Sequence, residues 1–378
     1  MQYRILGRTG LKVSVLGFGA MRLPMKNDLV DREKAIPMFH RAFDAGVNYV
    51  DSAVFYCNDD SQRAVGEALK GRRDGIVVST KNHFYDKKDK KAWWTNLENS
   101  LQRLQVQVID IYNHHGLNWN AFRENVDGPD GLYREMLKAK DQGLIKHICF
   151  SFHDSCENLI KLVDTGMFES VTCQYNLLDR SNEAGIAYAH EKGMGVVIMG
   201  PVAGGRLGET GGSLGRELPP GVGSTPELAL RFVMANPNVT VALSGMSTMQ
   251  QVNENQATAS NAGPLTPEQM AAVDALMQQL KAMADLYCTG CGYCKPCPNG
   301  VAIPDIFRLV NQYRVYGAKA SAKDHYRRLI ERGKDDARPA DACAECGKCE
   351  EKCPQHIKIM DQLKQAHELL TADGSGRS

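Results

Sequence analysis

The chain has 378 residues, of which 43% are hydrophobic and 24% charged, and this composition excludes a disordered or collagen-like protein. Lys and Arg total 45 against 44 Asp and Glu, so no global positive charge is available to attract nucleic acid. The first residues lack the apolar core of a signal peptide, and no run of about 18 uncharged apolar residues is present, so we expect a cytoplasmic protein with no membrane span.

Over the first two-thirds of the chain, eight short apolar segments alternate with amphipathic stretches, a pattern that predicts strands separated by helices. Several segments are continuous apolar runs, as in parallel strands covered on both faces. Eight strand–helix units in about 260 residues predict an α/β fold, the (β/α)8 TIM barrel. The predicted strands are 15–18, 48–53, 75–81, 108–115, 145–153, 171–176, 194–201 and 240–246.

The pattern leaves a doubly wound open sheet as the alternative to a barrel. In that fold a dinucleotide-binding G-x-G-x-x-G follows the first strand. Here Gly17-Phe18-Gly19 is followed by Ala20-Met21-Arg22, which does not fit. Residues 3–6 and 12–15 flank a glycine-containing turn ahead of the first strand and predict a β-hairpin.

Two later segments mark a change of organisation. The glycine-rich segment 204–224 follows the seventh predicted strand, and it is either a mobile lid over a ligand or a variable surface loop. Thr266-Pro267-Glu268-Gln269 has the residues of a helix start, with Thr266 as N-cap and Gln269 completing a capping box. We therefore expect a barrel over 1–265 and a second domain over 266–378.

Eight of the twelve cysteines fall between residues 288 and 353, in two runs with a repeated C-x2-C spacing. Without a secretory signal, such clustering indicates metal or redox chemistry rather than disulfides. Two structural zinc sites are the alternative, although zinc usually binds paired C-x2-C knuckles joined by longer loops. The second run, C-x2-C-x2-C-x3-C-P, resembles bacterial two-cluster ferredoxins, in which the fourth cysteine ligates the other cluster. The first run has one residue fewer before its last cysteine.

This resemblance implies two [4Fe-4S] clusters bound by interleaved sets of cysteines. One set is Cys288, Cys291, Cys294 and Cys353, and the other is Cys343, Cys346, Cys349 and Cys297. The segment between the runs has helical patterns and is similar to the helical two-cluster domains of respiratory dehydrogenase subunits. The second domain is thus expected to be helical and ferredoxin-like.

The same intervening segment is rich in Lys and Arg. One interpretation is that these cations offset the negative charge of the clusters or form an ordinary solvated face. The other is that they dock an acidic electron carrier such as a ferredoxin or a flavodoxin. The cations are Arg308, Arg314, Lys319, Lys323, Arg327, Arg328, Arg332, Lys334 and Arg338.

Four polar residues lie at or just after the ends of the second, third and fourth predicted strands, where a (β/α)8 barrel carries its functional groups. They are Asp51, Tyr56, Lys81 and His115. A tyrosine is a poor acid at neutral pH, because its pKa is near 10. An adjacent Lys81 ammonium would lower that pKa, and Asp51 would balance the buried charge. His115 could orient a carbonyl oxygen; its neighbour His114 is the alternative, on the opposite strand face.

The residues Gly46-x-Asn48-x2-Asp51-Ser52-Ala53-x2-Tyr56, Ser79-Thr80-Lys81 and Asp110-Ile111-Tyr112-x2-His115 resemble the signature of the aldo-keto reductase family. The resemblance continues to Glu254-Asn255, and together with the cysteine runs it is similar to the iron–sulfur branch of that family. It implies an oxidoreductase that reduces a carbonyl, or oxidises an alcohol, with NADP or NAD. Tyr56 would be the general acid/base, assisted by Lys81, Asp51 and His115.

The resemblance also implies which residues meet the dinucleotide. The nicotinamide would meet Ser151, Gln174 and Tyr175. The pyrophosphate would meet residues in 200–207, which include Pro201, Gly204 and Gly205. The adenosine phosphate would meet Ser244, Gly245, Ser247, Gln251 and Asn255. The chain departs from the family at Gly245 and Gln251, where many relatives carry Lys and Arg. It also departs at Gly200, where related iron–sulfur members often have an acid.

Two further questions stay open from the sequence. Nicotinamide transfers two electrons as hydride, whereas each cluster transfers one electron. Three alternatives follow: the clusters are structural, a flavin links the nicotinamide to the clusters, or the substrate accepts single electrons. The alternative functions are therefore a reductase fed by one-electron carriers and a non-catalytic redox sensor.

The predicted pocket loops mix aromatic and polar residues, which suits sugars, quinones or small aromatic carbonyls. These residues are Phe55, His83, Phe84, Tyr85, Asn118 and Trp119.

Overall fold

The computed structural model describes residues 1–82, 89–177, 179–203, 207, 218–261, 265–284, 288, 290–314, 319–332 and 337–372. The predicted lid, 204–224, and the pocket residues 83–85 lie wholly or largely outside these ranges. The described chain divides into two compact units. One comprises Met1–Pro201 and Ala229–Leu265, and the other comprises Val202–Leu228 and Thr266–Ser378. The segment between the seventh barrel strand and the next helix thus groups with the carboxy-terminal part of the chain.

The first unit is a closed barrel of eight parallel strands, which confirms the predicted (β/α)8 architecture over the open sheet. In barrel order the strands are β3 (Leu16–Gly19), β6 (Tyr49–Asp51), β7 (Val77–Asn82), β8 (Ile109–Leu117), β9 (Ile145–Phe152), β10 (Ser170–Gln174), β11 (Gly195–Met199) and β12 (Val241–Gly245). The strands are almost wholly buried, as their continuous apolar runs require.

Helices connect the strands and cover the barrel. They are α1 (Arg32–Asp44), α2 (Ser61–Ala68), α3 (Lys90–Leu104), α4 (Trp119–Ala121), α5 (Leu132–Asp141), α6 (Cys156–Asp164), α7 (Glu183–Glu191), α8 (Thr225–Ala235) and α9 (Met249–Asn261). A short hairpin that the sequence did not predict, β4 (Met25–Lys26) with β5 (Leu29–Val30), lies in the loop after β3.

The predicted amino-terminal hairpin is confirmed as β1 (Tyr3–Ile5) paired with β2 (Lys12–Ser14). It closes the floor of the barrel, where Leu6 and Val13 join the interior side chains. Its turn approaches the start of β11 so closely that a Cβ on Gly7 would lie 2.2 Å from the Gly195 nitrogen. Arg4 donates from Nη2 to the Met234 carbonyl, at 2.6 Å, and so binds the end of α8. The opposite, carboxyl end of the strands therefore carries the site.

The second unit contains α10 (Pro267–Ala284), α11 (Ile303–Arg314), α12 (Lys319–Arg332), α13 (Lys348–Glu351) and α14 (Ile359–Thr371). The predicted capping box is present, with the Gln269 nitrogen 3.2 Å from Thr266 Oγ1 and the Thr266 nitrogen 3.0 Å from Gln269 Oε1. The apolar faces of α11, α12 and α14 share one core around Phe307 and Tyr326. Among the described helices, none is long and apolar enough to span a bilayer.

Candidate active site and cysteine sites

A buried ion pair lies at the carboxyl ends of β6 and β7. Lys81 Nζ donates a hydrogen bond to Asp51 Oδ2 and another, of 3.0 Å, to the Ser52 carbonyl. The other Asp51 oxygen accepts from Ser79 Oγ at 2.8 Å. Asp51 and Lys81 are each 2% exposed. Every polar atom of the pair thus has a hydrogen-bond partner, as a pair of charges so deeply buried requires.

Tyr56 lies beside this pair, in the loop between β6 and α2. Lys81 Nζ is 4.9 Å from the centroid of the Tyr56 ring. The three residues that follow, Cys57, Asn58 and Asp59, all have left-handed backbone angles, with φ of 53°, 54° and 65°. Such angles cost residues with a Cβ about 1 kcal/mol or more each. The loop is therefore held in a strained turn directly after the candidate acid.

The charges of the pair act on Tyr56 in opposite directions. Burial raises the pKa of the Tyr56 phenol, the positive charge of Lys81 lowers it and the carboxylate of Asp51 raises it, with a net pKa above the ordinary value. Burial alone would lower the pKa of Lys81, but the charge of Asp51 and hydrogen bonds to Asp51 and Tyr56 outweigh that effect and raise it. Lys81 is therefore an ammonium and Tyr56 a neutral phenol at pH 7. The lowering that the sequence predicted is present, but burial exceeds it.

His115 faces Tyr56 from the neighbouring strand, β8. Their ring centroids are 6.1 Å apart with the rings nearly perpendicular, and Phe55 stacks on His115 with centroids 4.9 Å apart and planes 7° apart. A β-bulge places His115 here, because the pairing of β8 with β9 shifts between His114 and Leu117. Ser151 Oγ accepts a hydrogen bond of 2.8 Å from the Gly116 nitrogen inside this bulge. The structure thus brings all four predicted residues together and favours His115 over His114.

Three adjacent strands end without a side chain on the same face of the barrel. Gly200 follows β11, Gly245 ends β12 and Gly19 ends β3, in the order in which these strands pair. A Cβ on Gly200, whose φ is 65°, would lie 2.7 Å from Gln174 Nε2, and a Cβ on Gly19 would lie 3.3 Å from the Ser244 carbonyl. These three glycines, here called the glycine shelf, let neighbouring groups approach the backbone closely: the Gln174 carboxamide at Gly200, the Ser244 carbonyl at Gly19 and the Arg22 side chain at Gly245.

The two cysteine runs are brought together by a short parallel bridge. The Arg338 nitrogen donates to the Gly300 carbonyl at 2.8 Å, and the Ala302 nitrogen donates to the Arg338 carbonyl at 2.9 Å. Residues 300–302 follow the first cysteine run, and Arg338 precedes the second. The bridge therefore aligns two stretches of chain that lie about 40 residues apart in sequence and places both runs around one apolar core.

Each of two cavities is lined by four of the eight cysteines. The lining of one cavity includes Cys288, Cys291, Cys294 and Cys353. The lining of the other includes Cys297, Cys343, Cys346 and Cys349. Ile303 lines both cavities. In the part of the chain that the structure describes, no three His, Cys, Asp or Glu side chains converge as the ligands of one metal ion do.

Thiols of the same cavity influence one another. Burial, together with the charges of Cys288 and Cys291, raises the pKa of Cys294 to about 12, and Cys353 adds to the effect. Burial and the charge of Cys343 raise the pKa of Cys349 to about 11. Four crowded thiols need a cation among them before they ionise together, which is the environment that an iron–sulfur cluster provides.

Comparison with known proteins decides the family. The model of the aldo/keto reductase family matches residues 15–219 and 213–278. The chain belongs to the aldo/keto reductase family. A model of the 4Fe-4S dicluster domain matches residues 287–358, so a 4Fe-4S domain follows the reductase barrel, as the sequence predicted.

Several relatives of the chain are oxidoreductases by name. It is 28% identical over 313 residues to the uncharacterized oxidoreductase YqkF of Bacillus subtilis, covering 74% of this chain and 97% of the relative. It is 27% identical over 308 residues to L-galactose dehydrogenase of Arabidopsis thaliana, covering 74% and 96%. The holo form of aldo-keto reductase AKR11C1 from Bacillus halodurans is 31% identical, with a TM-score of 0.63 and 73% and 96% of the two chains covered. Each of these likenesses covers about three quarters of this chain.

Within this aldo/keto reductase barrel, the residues predicted to hold the nicotinamide have different placements. Gln174 is 5% exposed, with its carboxamide against the Gly200 position of the shelf. Tyr175 is 2% exposed, its ring stacks on Phe232 with centroids 5.3 Å apart, and its hydroxyl donates to Glu183 at 2.7 Å. This packing leaves no ring face for a cofactor. Ser151 binds the β8 bulge and so also supports His115.

The predicted adenosine segment of the reductase forms hydrogen bonds within itself. Asn255 Nδ2 donates to Ser244 Oγ at 3.1 Å, and Gln251 Oε1 accepts from the Ser247 nitrogen at 2.7 Å. Pro201, of the predicted pyrophosphate segment, is buried. The other two residues of that segment, Gly204 and Gly205, lie outside the described residues.

One residue of the reductase site was not assigned from the sequence. His153 follows β9 directly, two residues after Ser151, and burial together with the charge of Lys81 lowers the pKa of His153 to about 4. The imidazole is therefore neutral at pH 7 and lies at the same barrel end as the catalytic candidates. Its position just past a strand end was the available signal.

Proposed function

We propose that the barrel reduces a carbonyl compound, or oxidises the corresponding alcohol, with NAD(P)H, and that Tyr56 is the general acid/base. The observation that carries the proposal is the buried Lys81–Asp51 pair beside Tyr56, with His115 across from it. A binding-only barrel would gain nothing from a buried ammonium next to a phenol, because burying both charges is costly. The substrate is a small-molecule carbonyl or alcohol.

The residues of the barrel fit a nicotinamide dinucleotide. Gln174, Ser151 and the backbone at Gly200 and Gly245 lie at the carboxyl ends of the strands and would hold it. An aldo/keto reductase of Klebsiella pneumoniae, solved in complex with NADP and acetate, shares the fold with a TM-score of 0.61 and 21% identity, covering 73% of this chain and 96% of that one. When bound, the nicotinamide supplies a hydride to the carbonyl carbon.

The protein side of the reaction is proton transfer and charge stabilisation. His115 donates a hydrogen bond to the carbonyl oxygen and fixes its direction. Tyr56 gives its proton to that oxygen as negative charge develops there, and Lys81 stabilises the phenolate that remains. Asp51 keeps the Lys81 ammonium charged in its buried place. Because the pKa of Tyr56 lies above its ordinary value, the phenol carries its proton at pH 7, and alcohol oxidation is favoured at higher pH.

Turnover of a panel of sugars, quinones and small aromatic carbonyls with NADPH and NADH tests this function. In the variant Tyr56→Phe we expect kcat to fall at least about 100-fold, because the proton donor is lost, while nucleotide affinity is unchanged. Tyr188→Phe is the matched control, since that hydroxyl lies on α7 and donates to Asp164 at 2.6 Å. Full activity of Tyr56→Phe would overturn the proposal.

For the second unit, we propose two [4Fe-4S] clusters with the interleaved ligands. The grouping of Cys353 with the first run and of Cys297 with the second run in the two cavities supports this assignment. Anaerobic purification should give about eight irons per chain. Cys353→Ser should impair the cluster of the first run, and Cys297→Ser that of the second, as spectroscopy of each variant would report. Cys156→Ser, outside both runs, should keep all the iron.

A second candidate function is a reductase fed by one-electron carriers through the clusters, with or without a flavin. It is favoured by the exposure of Cys346 and of the cations Arg308, Arg327 and Arg328. Flavin should be quantified in the anaerobic protein, and the cluster absorbance followed while NADPH, or a reduced ferredoxin or flavodoxin, is added. Bleaching by the carrier with substrate turnover would support this function. Persistent cluster colour during normal carbonyl turnover would make the clusters structural.

A further inference from the structure

The residue that ends the strained turn after Tyr56 does not cap the helix that it precedes. The left-handed residues 57–59 lead directly to Asp60, which stands in the N-cap position of α2. An aspartate in this position commonly accepts a hydrogen bond from the first turn of its helix. Among the described residues of α2, no backbone N–H donates to the Asp60 carboxylate. Asp60 is 5% exposed, so its charge needs partners from another part of the barrel.

These partners come from the end of the β4–β5 hairpin and the start of α1. Arg32 Nη2 donates to Asp60 Oδ1 at 2.8 Å, and Nη1 donates to Oδ2, so two parallel hydrogen bonds join the guanidinium to the carboxylate. The Val30 nitrogen donates to Asp60 Oδ2 at 2.9 Å. Burial would raise the pKa of Asp60, but the hydrogen bonds from Arg32 and Val30 outweigh burial and lower that pKa. Asp60 is therefore a carboxylate at pH 7 in a bidentate ion pair.

A further hydrogen bond attaches the turn itself to the same hairpin. Asn58 Nδ2 donates to the Asp28 carbonyl, between β4 and β5, at 3.0 Å. The turn is closed by the Ser61 nitrogen, next to Asp60, which donates to the Tyr56 carbonyl at 3.1 Å. The hairpin, the start of α1 and the turn are thus connected by hydrogen bonds, and the backbone of Tyr56 belongs to this connected group.

The attachment bears on proton transfer because Tyr56 has to stay beside Lys81, whose Nζ is 4.9 Å from the centroid of its ring. Left-handed angles are unfavourable for residues with a Cβ, so a turn released from the hairpin would relax and redirect the residue before it. A displacement of about 1 Å at a reacting group can lower a rate about 100-fold. An anchor at the other end of the turn therefore sets the position of the acid without touching substrate.

We propose that Arg32 and Asp60 are positioning residues for Tyr56: their ion pair anchors the strained turn to the β4–β5 hairpin and so holds the phenol in place. The inference rests on the proposed function, because it takes Tyr56 to be the proton donor. It gives a role to a hairpin that the sequence did not predict. This role is the same whichever carbonyl is reduced and whichever dinucleotide supplies the hydride.

The test measures reduction of 4-nitrobenzaldehyde, a small aromatic carbonyl of the panel, by NADPH. Arg32→Gln should lower kcat about 10- to 100-fold, the effect of a misplaced reacting group, with KM for NADPH within about twofold of the wild-type value. Added to Tyr56→Phe, the same substitution should change kcat less than about twofold, because effects that act through one proton donor are not additive. Asp60→Asn should behave like Arg32→Gln. Arg32→Lys should recover part of the loss, since an ammonium keeps the charge but not the two parallel hydrogen bonds.

Arg72→Gln is the matched control. Arg72 Nη1 donates to Asp44 Oδ1 at the other end of α1, so this arginine–aspartate pair lies away from the turn, and its loss should leave kcat unchanged. Hydrogen–deuterium exchange of the amides of residues 52–61 gives a readout that needs no substrate. Exchange should become faster in Arg32→Gln and Asp60→Asn and keep the wild-type rate in Arg72→Gln. Circular dichroism of each variant shows that the barrel is folded.

The outcomes separate this inference from the proposed function. An equal loss of kcat with and without Tyr56, or unchanged exchange of residues 52–61 in Arg32→Gln, would show that the pair supports only the fold. Either result would overturn the inference and leave the reductase function intact. A wild-type protein that reduces no carbonyl of the panel would overturn the proposed function and this inference with it.

Discussion

The Lys81–Asp51 pair allows a prediction in which stability and activity separate. Each partner is 2% exposed, so removing one leaves the other as a buried, uncompensated charge. Breaking a buried pair in this way costs about 3–5 kcal/mol. We therefore expect Asp51→Asn and Lys81→Met each to lower the free energy of unfolding by about that amount at pH 7. The double variant buries no charge, and its loss should be far smaller than the sum of the two single losses.

The activity of the three variants should not follow their stability. Without a charged Lys81, the phenolate of Tyr56 loses its stabilising partner, and kcat should fall about 100- to 10,000-fold in both single variants and in the double variant alike. The same double-mutant cycle on the exposed pair Lys26–Glu33, 3.9 Å apart, provides a control. There we expect a coupling below about 1 kcal/mol, with unchanged turnover.

The assay uses urea unfolding followed by tryptophan fluorescence. The three tryptophans of the chain, Trp93, Trp94 and Trp119, all belong to the barrel unit, so their signal reports the barrel. A coupling energy of several kcal/mol is expected from the cycle. If the single losses simply add in the double variant, the pair is not the unit of stability described above. If the double variant recovers turnover, the role of Lys81 in proton transfer is refuted.

Three further variants test other parts of the barrel. Asp59→Gly should raise the free energy of unfolding by about 1 kcal/mol, because glycine adopts its φ of 65° without strain; a lower melting temperature would contradict this. Hydrogen bonds and charges outweigh burial and hold the pKa of Glu169 at about 2, so its stabilising contribution is full above about pH 4.5 and lost as the pH falls toward 2. Glu169→Gln should therefore lower the free energy of unfolding by about 1–2 kcal/mol at pH 7, a value discounted for the partial exposure of Glu169. In urea titrations the difference in free energy between the variant and the wild type should shrink at pH 3 and vanish near pH 2. A difference that does not change with pH would show another cause. Gly200→Ala should weaken nucleotide binding, because the added Cβ would displace the Gln174 carboxamide. Gly193→Ala is the control: with φ of 74° and open space around it, it should lower stability without changing nucleotide affinity. Equal affinities of the two variants would refute the role of Gln174 and Gly200 in nucleotide binding.

Much of the candidate active site was predictable because parallel strands end on one edge of a barrel. Asp51, Lys81 and His115 close consecutive strands, so their meeting follows from topology once the strands are found. The alternation of strand side chains did not decide between His114 and His115, because the β8 bulge interrupts it and the bulge depends on the distant Ser151 hydroxyl. Local pattern carries no signal for such a contact.

Other features depended on packing that periodicity does not encode. Tyr175 follows a strand end, as an accessible residue would, but Phe232 from a helix more than fifty residues later covers its ring. The position of Arg22 over Gly245 joins residues separated by more than two hundred positions. The left-handed turn after Tyr56 was only partly signalled, because Asn58 and Asp59 are residue types that adopt such angles whereas Cys57 is not.

The grouping of Val202–Leu228 with the carboxy-terminal unit has a consequence for dissecting the protein. Gln269 Nε2 donates to the Pro220 carbonyl at 2.8 Å, and Gln269 is only 8% exposed. A fragment ending at residue 265 would keep every barrel strand but lose this hydrogen bond. Because Val202–Leu228 belongs to the second unit, a truncated reductase would need a redesigned connection between β11 and α8 to stand alone.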